Sequence, residues 1–279
     1  MEKIRMLLRK VEVLSPSPAV LVKLLPSLND VDADFDEVVR LISMEQSLTA
    51  KLLQISNSSF FGQPEPVATV AEAVNRVGYQ SVYLLVAMIS GKNCFPTPSP
   101  RGIDSGKLWQ HSLATAFNAK FVAESAGQDG NLLFTAGLLH DIGKLVMVQS
   151  QLPMPLQVIG NAFHQPTNAA AIEREIMLFG FTHSEAGASL LEKWNLPASL
   201  VASVRHHHDP LAAHDFAPIA ASISLGNQIS HLEHHPRLTE SPEFKNALSQ
   251  LGLDGSELEH WRKRFHDSRD LIESMNKLP

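Results

Sequence analysis

The chain has 279 residues, with 23 Lys and Arg against 29 Asp and Glu, and hence a formal net charge of −6. This acidity is spread along the chain, so we expect no direct nucleic-acid binding through a basic surface. No unbroken apolar run approaches the roughly 18 residues of a membrane span, and residues 1–5 lack the apolar core of a signal peptide. The single cysteine, Cys94, favours a reducing compartment. We therefore expect a soluble cytoplasmic protein that does not bind membranes.

Helical periodicity dominates the first third of the chain. Behind Asp34 as N-cap, apolar residues follow the spacing of one helix face: Phe35, Val38, Val39 and Ile42. Thr69 and Glu72 predict a capping box, Gly78 suits the end of the helix that this box opens, and Gly91 is expected to end the next one. No convincing alternating strand occurs, so the predicted fold class is all-α and multi-helical.

The predicted organisation has four segments. A helical block at 1–95 precedes a proline-rich linker at 96–106, and all 13 histidines lie after it, mostly in a segment at 107–235. We expect the block to pack on that segment, with Phe60 and Phe61 filling the interface or contacting a partner. The tail at 236–279 carries a near-heptad stripe, which packs on its own domain or forms a dimer surface: Leu258, Trp261, Phe265, Ser268, Ile272 and Met275.

The strongest local pattern is His140 followed by Asp141 in an apolar helical segment that continues to Lys144. Imidazole nitrogen and carboxylate oxygen are ligand types suited to Zn, Mn or Fe, so the pair indicates a metal site. The alternative is a buried structural pair in which Asp141 meets Lys144 three residues on. Further histidines on successive helices favour a shared site over coincidence: His111, His183, His207 and His208.

This ordered series resembles the HD superfamily of metal-dependent phosphohydrolases, in particular its HD-GYP branch, and more closely the HDOD family (HD-related output domain). The resemblance covers about residues 10 to 235, with these segments: LTAKLL (48–53), SNS and FG (56–62), VAEAV and VG (70–78), FTAGLLHDIGK (134–144), Glu173 with FGFTHSEAG (179–187), WNLP (194–197) and HHDP (207–210). It implies an all-α, multi-helical HD-like fold, a bacterial signalling role and metal ligation by His111, His140, Asp141, His183, His207 and His208. Many members of the family have no demonstrated enzymatic activity.

Two departures from the superfamily pattern bear on catalysis. Asn227, a weak uncharged ligand, stands where the superfamily has its final Asp, and no glycine-tyrosine-proline segment follows His208. Five neutral imidazoles and one carboxylate carry a charge of −1, so two divalent ions would leave +3 uncompensated and one leaves +1. We expect at most one divalent ion (Fe, Mn, Zn, Ni or Mg), unless bound phosphate or hydroxide balances a second.

Three functional hypotheses follow. The favoured one is a signalling output or scaffold protein with a degenerate HD site, which acts by binding a signalling partner or a small nucleotide or phosphate ligand. The second is an active metal-dependent phosphohydrolase on a nucleotide or cyclic dinucleotide, for which Lys144 is the candidate catalytic residue. The third is a module that uses the metal pocket only to sense a nucleotide or phosphate.

Overall fold

The computed structural model describes residues 34–44, 46–57, 66–93, 104–149 and 169–269, together with Ile4, Leu8, Ile272 and Glu273. Regular structure in these residues is entirely helical and includes no strand, which confirms the predicted all-α class. The linker residues 96–103 and the loop containing Phe60 and Phe61 lie outside the described residues.

The chain divides into two compact units, one formed by 1–15 and 94–262 and the other by 16–93 and 263–279. The second unit contains α1 (Phe35–Ser43), α2 (Gln46–Ser56) and α3 (Val70–Asn93), in which α1 and α2 pack on α3 and on each other. The predicted segment boundaries, and the packing of the N-terminal block on the histidine-rich half, stay predictions.

The first unit holds every residue of the predicted metal site. Its helices are α4 (Ser105–Ser125), α5 (Gly130–Leu139), α6 (Ile142–Gln149), α7 (Ala169–Phe179), α8 (His183–Lys193), α9 (Ala198–His206), α10 (Ala217–Ser230) and α11 (Pro242–Leu251), with 3-10 helices at Pro210–Phe216 and Pro236–Glu240. A last helix, α12 (Leu258–Asp267), begins in this unit. Its Trp261 is fully buried and donates a hydrogen bond to Ser125 Oγ (2.9 Å).

Local signals set most of the helix starts. Glu72 N donates to Thr69 Oγ1 (3.2 Å) and the Glu72 carboxylate accepts from Thr69 N (3.1 Å), so the predicted capping box is present. Gly78 is non-helical (φ +77°, ψ 156°) at a kink that divides α3 into two helical stretches, so the first stretch ends at this glycine as predicted. The second stretch does not end at Gly91 and continues to Asn93. A buried apolar face beyond the kink holds the chain helical there.

Helix α4 lies at the centre of the first unit and packs on both α5 and α10. The α4–α10 approach depends on Gly226, because a Cβ there would lie 2.6 Å from the Ala119 backbone nitrogen. On the other side, α6 packs on α8 and α8 packs on α9. This packing brings the histidines of α4, α8 and α9 toward the junction between α5 and α6.

One stretch of the described residues, Gly130–Val148, is long and apolar enough to cross a membrane. It is 94% buried inside the fold, as a core helix of a soluble protein is. The stretch spans α5, the junction and most of α6, so its apolar composition is explained by the core that it fills.

Candidate metal centre

The sequence suggested that His140 and Asp141 lie within one continuous helix. They lie instead in the turn between α5 and α6. Both side chains are almost fully buried. His140 Nδ1 is 2.8 Å from the Gly137 carbonyl oxygen. Because a carbonyl only accepts hydrogen bonds, Nδ1 carries the proton and Nε2 presents a lone pair toward Asp141.

His111, on the second turn of α4, is oriented by the end of α10. The Ser230 hydroxyl donates to the Asn227 carbonyl (2.6 Å), so its oxygen is left to accept a hydrogen bond from His111 Nδ1 (3.2 Å). The bare His111 Nε2 then lies 3.5 Å from Asp141 Oδ2, and His140 Nε2 lies 3.3 Å from the same oxygen. His111, His140 and Asp141 form the aspartate group, whose ligand atoms lie within 4.8 Å of one another.

A second set of three ligand atoms within 4.8 Å comes from His183, His207 and His208, here named the histidine group. His183 opens α8 behind a capping box of Thr182 and Glu185. Its Nδ1 lies 2.8 Å from Glu175 Oε2, which also accepts from the His183 backbone nitrogen (2.8 Å). His207 caps the end of α9 and directs Nδ1 at the Val204 carbonyl (2.7 Å).

The geometry of the histidine group fits a cation. His183 Nε2 lies 3.3 Å from His207 Nε2 and 3.1 Å from His208 Nε2. Since the outward bonds place the His183 and His207 protons on Nδ1, two lone pairs face each other across 3.3 Å. Neutral imidazoles cannot hydrogen-bond in this arrangement, whereas a divalent ion between them would satisfy both nitrogens.

Asp141 joins the two groups. Its Oδ1 lies 3.3 Å from His183 Nε2, while its Oδ2 faces His111 and His140 and also accepts from the Lys144 ammonium (2.6 Å). The structural alternative, an Asp141–Lys144 ion pair, is therefore present alongside the metal-type cluster. His140 Nε2 and Asp141 Oδ1 are buried without a hydrogen-bond partner, as expected of metal ligands.

Burial controls the charge state of the cluster. Burial, followed by the neighbouring imidazoles, lowers the pKa of His207 and His208 well below the usual range, and burial does the same to the pKa of His111. Burial acts to raise the pKa of Asp141, but His140 and Lys144 outweigh it and hold that pKa well below its usual value. The imidazoles of His111, His207 and His208 are thus neutral and the Asp141 carboxylate is ionised near pH 7, the protonation states that ligate metals.

Asn227 lies in α10, the helix whose Ser230 contacts His111, and its Oδ1 is buried without a hydrogen-bond partner. One turn later, His231 stacks on the His111 ring with centroids 4.6 Å apart. Burial, with Lys144 next in importance, lowers the pKa of His231 to about 4. The i, i+4 spacing from Asn227 was the sequence signal that would have found His231.

The residue that the sequence analysis missed is Glu175. The HDOD-like segment had singled out Glu173, which is exposed on α7, whereas Glu175 is buried and holds His183. Glu175 follows Ile172 by three residues and precedes Phe179 by four, so it stands in the apolar stripe of its helix. A carboxylate in such a stripe signals a buried polar contact.

The family model for the HDOD domain matches residues 14–210, which is more than two thirds of this sequence. The chain belongs to the HDOD family. This membership covers α1 to α9 and both groups of ligands that the sequence analysis had assigned by resemblance.

Among curated relatives, this HDOD protein is 26% identical over 214 residues to an uncharacterized protein of Treponema pallidum, covering 75% of the chain and 40% of that protein. It is also 30% identical over 142 residues to ribonuclease Y of Thermus thermophilus, covering 51% of the chain and 19% of that enzyme. The HDOD chain thus spans two fifths or less of the length of these relatives.

Solved structures share the fold of this HDOD protein. An HDOD domain protein of unknown function from Geobacter sulfurreducens matches with a TM-score of 0.73 and 24% identity, over 98% of this chain and 95% of that one. A Marinobacter aquaeolei protein, provisionally described as a signal transduction protein, matches with a TM-score of 0.72 and 23% identity over 94% of this chain and 59% of that one. At these identities the likeness establishes the helical architecture.

Proposed function

We propose that this protein is a bacterial, cytoplasmic signalling member of the HDOD family whose histidine centre binds one divalent metal ion and recognises a ligand without hydrolysing it. The observation that carries the proposal is the shortage of carboxylates. Asp141 is the one carboxylate among the six ligands, it is already paired with Lys144 at 2.6 Å, and Asn227 replaces the superfamily's final Asp.

Charge balance supports a single ion. Asp141 and Glu175 contribute two negative charges and Lys144 one positive charge, so the buried residues around the centre carry −1. One divalent ion leaves a single excess positive charge, which an anionic ligand neutralises, whereas a second ion would leave three. The excess charge therefore favours a phosphate or nucleotide ligand.

The histidine group is the stronger candidate for holding this ion. Three imidazole ligands leave a fourth position open, as in metal sites that also accept an exogenous ligand, and imidazole suits Zn, Fe and Ni. When bound, the ion supplies Lewis-acid attraction for an anionic oxygen. Lys144 places a second positive charge beside Asp141, and Glu175 keeps His183 in the tautomer that ligates.

The test combines elemental analysis of the purified full chain with turnover assays on a nucleotide, a cyclic dinucleotide and a short RNA. We expect about one metal ion per chain and a rate far below the roughly 1 s⁻¹ of an ordinary enzyme. Turnover at or above that rate, or the absence of bound metal after reconstitution, would overturn the proposal.

An Asn227→Asp variant tests the carboxylate shortage itself. The added negative charge should raise metal occupancy toward two ions per chain, because it compensates the second ion. Gln228→Glu, which adds the same charge one residue along, is the matched control and should leave occupancy at one. Equal occupancy in both variants would contradict the charge argument.

A second candidate function, a metal-dependent phosphodiesterase, is favoured by the position of Asp141. Its two oxygens are divided between the histidine group and the aspartate group, which is how one carboxylate would bridge two ions. The similarity to ribonuclease Y, over half of this chain, agrees with a phosphodiester substrate. The same turnover assays decide between the two functions, since only this one requires rates near 1 s⁻¹.

A partner is part of the proposed function, since an output domain acts through another molecule. We propose a signalling protein as that partner. The predicted α12 dimer surface is the weaker alternative, because Trp261 at the middle of its stripe packs inside the first unit.

A further inference from the structure

Helix α7 presents an unusual run of exposed aliphatic side chains. Met177 is 81% exposed, Ile176 50% and Leu178 39%, whereas Glu175 and Phe179 on the inward side are buried. Successive helical residues point about 100° apart, so Met177 lies opposite the buried side and Ile176 and Leu178 flank it on either side. Single exposed apolar residues are ordinary, but three around the outer half of one turn indicate a binding partner.

The sequence of α7 is arranged by size and charge along its length. Small exposed residues, Ala169 and Ala170, occupy its first turn, and the large aliphatic residues occupy its last. Between them stand an acidic and a basic residue, Glu173 and Arg174, both exposed. Neither makes an ion pair with another residue in the part of the chain that the structure describes.

This arrangement is complementary to itself. Ala170, Glu173, Arg174 and Met177 share one helix face by their i, i+3, i+4 and i+7 spacing. If two α7 helices pair antiparallel about a two-fold axis between Glu173 and Arg174, each Glu173 faces the Arg174 of the other copy. Each Met177 then lies over the small Ala170, so the surfaces match in both charge and size.

We propose that this face of α7 is an interface for a second copy of the chain, formed by an antiparallel pair of α7 helices with reciprocal Glu173–Arg174 ion pairs. A single pair of 11-residue helices buries less than the about 1,200 Å² of a stable complex. The dimer is therefore weak and depends on concentration. Its interface lies on the outer side of the helix whose inner side holds His183 through Glu175.

Charge reversal at Glu173 and Arg174 gives a pattern of association that only pairing between two α7 helices predicts. In sedimentation velocity on the full chain up to about 500 µM, we expect the wild type to dimerise. Glu173→Arg and Arg174→Glu should each weaken self-association at least about tenfold, because each creates four like charges at the axis. A mixture of these two variants should form a heterodimer, and the double variant E173R/R174E should dimerise like the wild type.

Leu211→Lys is the matched control, since Leu211 is 67% exposed in the same unit but belongs to a 3-10 helix and not to α7, and it should leave the dimer unchanged. A wild type that stays monomeric at about 500 µM, as when another part of the same chain covers this face, overturns the proposal. A dimer that both single reversals leave intact, or a double reversal that fails to restore association, also overturns it.

Discussion

The aspartate group and the histidine group use the same imidazole chemistry with different support. In the histidine group, His183 is fixed by two oxygens of a buried carboxylate and His207 by a backbone carbonyl. In the aspartate group, His111 depends on a serine hydroxyl that is itself held by α10, and Asp141 is shared with Lys144. The difference indicates that the histidine group is prepared to bind an ion, while the aspartate group must first release its carboxylate from an ion pair.

Gly143→Ala should disrupt the geometry of both ligand groups, and we expect it to have the largest effect among the proposed variants. A Cβ at Gly143 would overlap the His183 carbonyl oxygen and lie 2.6 Å from Gly187 N, so α6 and α8 would have to separate. Because both contacts are backbone, we expect the free energy of unfolding in urea to fall by about 3 kcal/mol or more.

Gly106→Ala is the control for this variant, because its Cβ would meet only the end of the Asp104 side chain at 3.2 Å. It should change the free energy of unfolding by less than about 1 kcal/mol. Wild-type stability and metal content in Gly143→Ala would contradict the idea that one close helix contact sets the register of both groups.

Glu175→Gln should show which of the two groups holds the ion, because it removes the carboxylate that orients His183 and leaves the aspartate group unchanged. Loss of such a second contact lowers metal affinity by about 10- to 100-fold. Competition with a chelating dye at low micromolar protein measures this change. Glu173→Gln, an exposed change on the same helix, should leave the affinity unaltered. Equal affinities in the two variants would place the ion in the aspartate group instead.

The pH dependence of the free energy of unfolding tests whether the fold keeps His231, beside the aspartate group, unprotonated. A chelator is present so that metal ions do not compete with protons for the histidines. The pKa of His231 is about 4 in the folded protein against 6.5 for an ordinary histidine. Between these values the unfolded chain binds a proton that the folded chain does not, so stability falls as pH drops from 6.5 to 4. Allowing for the partial exposure of His231, its contribution is about 2 kcal/mol.

His231→Phe keeps a ring stacked on His111 and removes this titration. Its stability should fall less steeply with acid than that of the wild type, while the buried His207 and His208 maintain a remaining slope in the same direction. Superimposable stability curves for the variant and the wild type would show that His231 is not kept neutral by the fold.

Short-range signals in the sequence accounted for much of the fold. The capping box at Thr69 forms as predicted because cap and partner are three residues apart, a distance that no tertiary contact has to set. The box at Thr182 has the same spacing. Gly91 failed as a helix end because burial along α3 outweighs the weak local preference of one glycine.

The sequence by itself determined the helical class, the family and the residues that supply imidazole and carboxylate, because these depend on residue type and on spacing along the chain. Only the tertiary structure decided that Glu175 rather than Glu173 reaches the site, that Asp141 stands between two ligand groups, and that His231 covers His111. Each of these contacts joins different helices or turns. Their geometry is set by helix packing, and close approaches such as Gly143 against His183 become visible only when the helices are assembled.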